Sequence, residues 1–86
     1  MKNELYFDYH HQKDKEIGQR IALRRVALGM SQAELARKLD VFGISRLMVT
    51  RWEMGLSSVR ACMIVPLAQA LLCSAAYLLG EQQDAM

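Results

Sequence analysis

Two serines, each standing two residues after a glycine, constrain this chain more than any other feature. Ser31 follows Gly29, Ser45 follows Gly43, and Gly55 closes the run. A serine at the head of a helix accepts a bond from an N–H of the first turn that has no partner inside the helix. A glycine just past the last turn takes the left-handed conformation that ends one. The spacing therefore predicts one helix from Ser31 through Leu39 and another from Ser45 to about Glu53, with Asp40 to Ile44 as the break between them. Glu34, three residues after Ser31, completes a Ser-x-x-Glu capping box. Leu35, Ala36 and Leu39 form the inner stripe of the first of these helices. Val49 and Trp52, three apart, form the inner side of the second, which turns Arg46, Leu47, Thr50 and Arg51 outward.

The flanks read as further helices. One is expected from Asp14, as cap, to Gly29, with Ile17, Ile21, Val26 and Leu28 apolar and with Arg20 and Arg24 one turn apart. A fourth covers roughly Ser58 to Leu72, where Pro66 demands either a kink or a fresh start near Val65. A fifth, short helix is capped by Ser74 and ended by Gly80. Residues 1–14 show no steady period and read as an N-terminal extension, and 81–86 as a frayed tail. Residues 15–80 then make one small domain. No strand pattern and no internal repeat is present, so the fold class is all-α with five helices. A chain of 86 residues buries a modest core, and a dimer would help it.

Composition narrows the functions. Residues 17–60 carry a net charge of +5, against −1 for 1–16 and −2 for 61–86. A positive middle suits a densely negative partner such as DNA phosphates, although a solvated surface has the same composition. Cys62 and Cys73 lie in an apolar stretch, neither at metal-ligand spacing from a second Cys or a His, and read as two buried thiols of a reducing compartment. Ala61 to Gly80 is twenty residues without a charge, the length of a membrane span, but Pro66, Gln69, Ser74 and five alanines favour two short core helices. The polar N-terminus is unlike a signal peptide, and a cytoplasmic protein is expected. His10 and His11 are adjacent and read as a solvated pair. No Ser/His/Asp set, phosphate-cradling glycine loop or metal cluster is visible, so neither an enzyme nor a cofactor is expected.

The two central helices and their glycine-containing turn fit a helix-turn-helix. Three pieces carry a closer likeness: Gly29-Met30-Ser31-Gln32-Ala33-Glu34-Leu35-Ala36, Gly43-Ile44-Ser45, and Val49-Thr50-Arg51-Trp52-Glu53-Met54-Gly55. Leu67-Ala68-Gln69-Ala70-Leu71 and Leu78-Leu79-Gly80 follow in order. In these pieces Ile17 to Gly80 resembles the phage Cro and repressor (XRE-type) helix-turn-helix family, which implies a compact five-helix, lambda-repressor-like DNA-binding domain. One departure stands out. About three residues are extra within Arg37 to Phe42, and Phe42 replaces the family's leucine before Gly43. Either the second helix is longer or the turn is looser.

The resemblance also implies roles. The helix at 45–53 looks like the recognition helix, with Arg46, Leu47, Thr50 and Arg51 facing bases. An arginine can bond guanine O6 and N7 together, and Leu47 can touch a thymine methyl. Gln32, Ser45, Leu56, Ser57 and Ser58 look like phosphate contacts, with Arg60, Arg24 and Arg20 as weaker ones. Arg25 and Glu53 match the family's structural ion pair. The function implied is that of a sequence-specific transcriptional regulator, a repressor binding a near-palindromic operator in double-stranded DNA as a homodimer. The alternative is an antitoxin or other protein-binding module, gripping a partner such as a toxin through Tyr6, Phe7, Tyr9, Tyr77 and Leu78.

Overall fold

A computed structural model of the chain describes residues 2–85, with side chains from residue 9 onward. Five α-helices are present among the described residues: α1 (Lys2–Ala27), α2 (Gln32–Lys38), α3 (Arg46–Glu53), α4 (Ala61–Ala70) and α5 (Ala75–Leu78). A 3-10 turn, Asp40–Phe42, joins α2 to α3.

The three predicted serine caps are formed. Ser31 Oγ accepts from the Glu34 N–H, and the Ser31 N–H donates to Glu34 Oε1, both at 3.0 Å. That backbone bond, with the Ser31 hydroxyl second, holds the Glu34 carboxyl below its ordinary range. The box is therefore complete at neutral pH and loosens as pH falls into the carboxylate range. Ser45 Oγ accepts from the Met48 N–H, and Ser74 Oγ from the Tyr77 N–H. The extra residues before Gly43 do not lengthen α2. They form the 3-10 turn, and Gly43 follows it at φ 77°, in the left-handed region where glycine is unstrained. Val41 and Phe42 stay exposed on that turn.

The core is built from the expected stripes. Ile21, Leu35, Val49, Leu67, Leu71 and Leu78 are fully buried, with Leu39 and Trp52 nearly so. α1 serves as the spine because it has two working faces. Gly18 and Arg25 lie on the face toward α3, and Lys13, Arg20 and Arg24 on the face toward the ends of α4 and α5. On the first face an added Cβ at Gly18 would lie 2.0 Å from the Trp52 carbonyl oxygen, so only glycine lets the backbones come this close. On the second, Lys13 Nζ donates to the Leu79 carbonyl, and Arg24 donates to the carbonyls of Leu71 and Leu72 at 2.9 and 3.0 Å. Leu72 sits at φ 52°, an uncommon conformation for a side-chain-bearing residue, directly under that guanidinium.

Several expectations are corrected. α1 does not begin at Asp14 but runs through it from Lys2, and Asp14 accepts a bond from Ser58 instead of capping the helix. α4 neither restarts at Val65 nor begins near Ser58: it runs from Ala61 straight through Pro66. The bond that Pro66 cannot make is the one to the Cys62 carbonyl, and Cys62 is exposed. Cys62 is therefore not a buried thiol. Cys73 is half-buried, and that burial pushes its thiol up, opposed by Arg24. The tail is not frayed over its described part, since Ser74 Oγ donates to Gln82 Oε1 and the Ser74 N–H to the Ala85 carbonyl. Leu78 cannot grip a partner because it is wholly inside, whereas Tyr9 is exposed and Tyr77 half-buried. The Tyr6 and Phe7 side chains lie outside the described residues. No helix among the described residues is long and apolar enough to cross a membrane.

Gly18→Ala should cost about 3 kcal/mol or prevent folding, because the methyl group would have to displace backbone rather than a side chain. Urea denaturation measures this, and a cost below about 0.5 kcal/mol would contradict the close packing described.

Candidate nucleic-acid interface

α3 is placed by a single carboxylate. Glu53, at its last residue, accepts from Arg25 Nε at 2.7 Å, from Arg25 Nη2 at 2.9 Å and from Gln32 Nε2 at 3.0 Å. Arg25 Nη1 also donates to the Met30 carbonyl at 2.9 Å. The two charged side chains are 15% and 7% exposed. The bidentate bond to Glu53 raises the already high pKa of Arg25, against the opposing effect of burial. Three helices thus meet at one group: Arg25 from α1, Gln32 from the first turn of α2, and Glu53 from α3.

Gln32 carries the network forward. Its Oε1 accepts from Thr50 Oγ1 at 2.8 Å, and the single hydroxyl proton of Thr50 is shared with the Arg46 carbonyl at 3.1 Å. The amide nitrogen of Gln32 has two hydrogens, and Glu53 takes one. The outward face of α3 then presents Arg46, Leu47 and Arg51 exposed, with Thr50 half-buried beside them. The Arg46 side chain makes no hydrogen bond or ion pair among the described residues. Arg51 differs. Its Nε donates to Ser57 Oγ at 2.9 Å and its Nη2 points at the Leu56 carbonyl at 3.5 Å, so its guanidinium is turned toward the loop after α3.

That loop, between Gly55 and α4, is rich in unsatisfied donors. The N–H groups of Ser57, Ser58, Val59 and Arg60 find no acceptor among the described residues. Leu56 is exposed, and its N–H returns to the Arg51 carbonyl. The exposed Arg60 stands immediately before α4, with no bonded partner for its guanidinium. Free N–H groups on the N-terminal side of α2 and in this loop flank α3, the arrangement that suits oxygen anions on either side of a groove. Ser45 is exposed at the head of α3, its Oγ taken up by the Met48 N–H.

Arg24, expected as a weaker phosphate contact, is corrected. It caps the C-terminus of α4 from the other face of α1, because the carbonyls of Leu71 and Leu72 need a donor there. Arg20 lies on that face too, bonded to the Glu16 carbonyl and packed by Gly80. Two residues at the loop are invisible to motif reading. Lys15 lays its stem across Gly55, and Asp14 Oδ2 accepts from Ser58 Oγ at 2.6 Å. Asp14 shares a stripe at helical spacing with Gly18, Ile21 and Arg25, which puts it on the α3 side of α1 but does not name Ser58 as its partner.

Residues 21–78 match the family model described as Helix-turn-helix. The chain belongs to the helix-turn-helix family of the Cro and repressor (XRE) type. It is a DNA-binding regulator of that class. No curated protein and no solved structure matches the chain.

Glu53→Gln removes the charge that the enclosed Arg25 guanidinium faces and should cost about 3 kcal/mol in urea denaturation. Replacing both residues by apolar ones, Arg25→Met with Glu53→Leu, should recover much of that loss, since no uncompensated charge remains. A single substitution costing under about 0.5 kcal/mol would show that the pair does not hold α3.

Proposed function

We propose that this protein is a cytoplasmic transcriptional repressor that binds a near-palindromic operator as a homodimer, with α3 in the major groove of each half-site. One observation carries the reading: α3 presents two arginines, a threonine and a leucine outward, between two groups of backbone N–H donors without acceptors. Side chains with base-edge chemistry lie between groups suited to phosphates, a division of labour that sequence-specific binding requires. The unit that binds is the domain at residues 15–80, with 1–14 as an extension and 81–86 as a tail.

Within this reading Arg46, Leu47, Thr50 and Arg51 face bases. Arg46 is the arginine best able to make a bidentate bond to guanine, since nothing among the described residues competes for it. Arg51 reaches its base only by leaving Ser57, or reads from there with its remaining donors. Gln32 contacts a phosphate through its second amide hydrogen while still holding Glu53 and Thr50. Ser45, Leu56, Ser57, Ser58 and Arg60 supply the other backbone contacts. A two-fold homodimer would match two half-sites about one helical turn apart.

Selection of bound duplexes from a random pool tests this. The wild type should enrich a symmetric motif. Arg46→Ala should relax preference at one base position per half-site by about 1–3 kcal/mol, and Arg51→Ala at another. Gln32→Ala should weaken binding to all sequences. An unchanged motif in both arginine variants would remove α3 from the recognition role.

A further inference from the structure

Among the described residues, Asp14 is the one carboxylate bonded to the loop of unsatisfied donors. It belongs to α1, forty-four residues earlier in the chain, and its Oδ2 accepts from Ser58 Oγ at 2.6 Å. The N–H groups on either side of that hydroxyl, from Ser57 to Arg60, have no acceptor among the described residues. A half-buried negative charge thus occupies the hydroxyl at the centre of an otherwise donor-rich loop. His10, His11, Gly55 and Leu56 line the same shallow pocket, and the Lys15 stem crosses Gly55 beside it.

We propose that Asp14 limits the protein's affinity for the DNA backbone, acting as an internal competitor for the site that Ser58 and its neighbouring N–H groups offer to a phosphate. This rests on reading the loop at 56–58 as a phosphate contact. A phosphate bonded to the same serine, or to the N–H groups around it, lies on the order of 5–6 Å from the Asp14 carboxylate. Two like charges at that separation, at the edge of an interface, repel enough to change an equilibrium constant by about 3-fold to 30-fold. The effect is greatest at low salt, where screening is weakest. Lys15 offsets part of this repulsion but is exposed, whereas Asp14 is half-buried. Arg51 is drawn onto Ser57 in the same loop, so side chains around the loop are bonded to one another before DNA arrives.

The obvious alternative is that the Asp14–Ser58 bond only fastens α1 to the loop. Asp14→Asn separates the two roles. An asparagine still accepts from Ser58 through its side-chain oxygen, so the fastening survives while the charge is lost. Glu16→Gln is the control. It removes the same charge from the same helix two residues on, where the side chain bonds Gln12 instead of the loop. Affinity is read by fluorescence anisotropy on the selected operator and on a random duplex, from low to physiological salt, with melting temperature measured alongside. Asp14→Asn should bind both duplexes about 3-fold to 30-fold more tightly than the wild type at low salt, with an unchanged sequence preference. Glu16→Gln should change affinity by less than about 2-fold. Equal gains in the two variants, or no gain in Asp14→Asn, would overturn the role given to Asp14. Arg60→Ala reports on the underlying reading: uniformly weaker binding keeps the loop on the backbone, and unchanged binding removes the loop from the interface and the inference with it.

Discussion

The position of α3 depends on the carboxylate of Glu53 and the three donors around it. Arg25 supplies two in the fixed geometry of a guanidinium, and Gln32 supplies the third. A charged hydrogen bond in a site this enclosed is directional, and its loss leaves a partner without compensation. The arrangement fixes α3 relative to both α1 and α2. It also orients Thr50, because the amide that donates to Glu53 accepts from that hydroxyl. The buried end of α3 is tied down, and its outward side chains inherit a defined direction.

α1 explains why so short a chain can hold that network steady. One of its faces meets α3 closely enough to exclude any side chain at Gly18, and carries Asp14, Lys15 and Arg25 to the loop and to Glu53. The other face gives Lys13 and Arg24 to the carbonyl ends of α5 and α4. Basic side chains in the middle of the chain therefore divide into two groups. Arg24 and Arg25 are consumed in fastening helices, with Arg20 bonded within α1, while Arg46 and Arg60 remain open to a partner. Net charge by segment does not reveal this division, since Arg24 and Arg25, bonded inside the fold, count the same as Arg46 and Arg60, whose side chains have no bonded partner among the described residues.

Local chemistry explains what the sequence reveals and what it hides. The caps at Ser31, Ser45 and Ser74, and the inner stripes Leu35–Leu39 and Val49–Trp52, are short-range patterns whose partners lie within four residues. They read directly. The turn before α3 is legible as a break but not in form, because three extra residues can extend a helix or close a 3-10 turn, and only the positive φ at Gly43 and the exposure of Val41 and Phe42 decide it. The start of α1 is hidden by its composition: residues 2–13 lack an apolar stripe, yet α1 begins at Lys2. The Asp14–Ser58 bond and the Arg24 cap join residues more than forty apart, and nothing in either local pattern announces them. The extra turn leaves the outward face of α3 uncovered, since the residues that flank that face come from the start of α2 and the loop before α4.

Amide-resolved NMR during titration with the selected operator tests the central claim most directly. The account predicts that the resonances of Arg46 to Met54, of Gln32, and of Ser57 to Arg60 shift together, while those of Ala75 to Gly80 move little. Shifts concentrated in α4 and α5, with α3 unaffected, would contradict the assignment of α3 as the element that reads DNA.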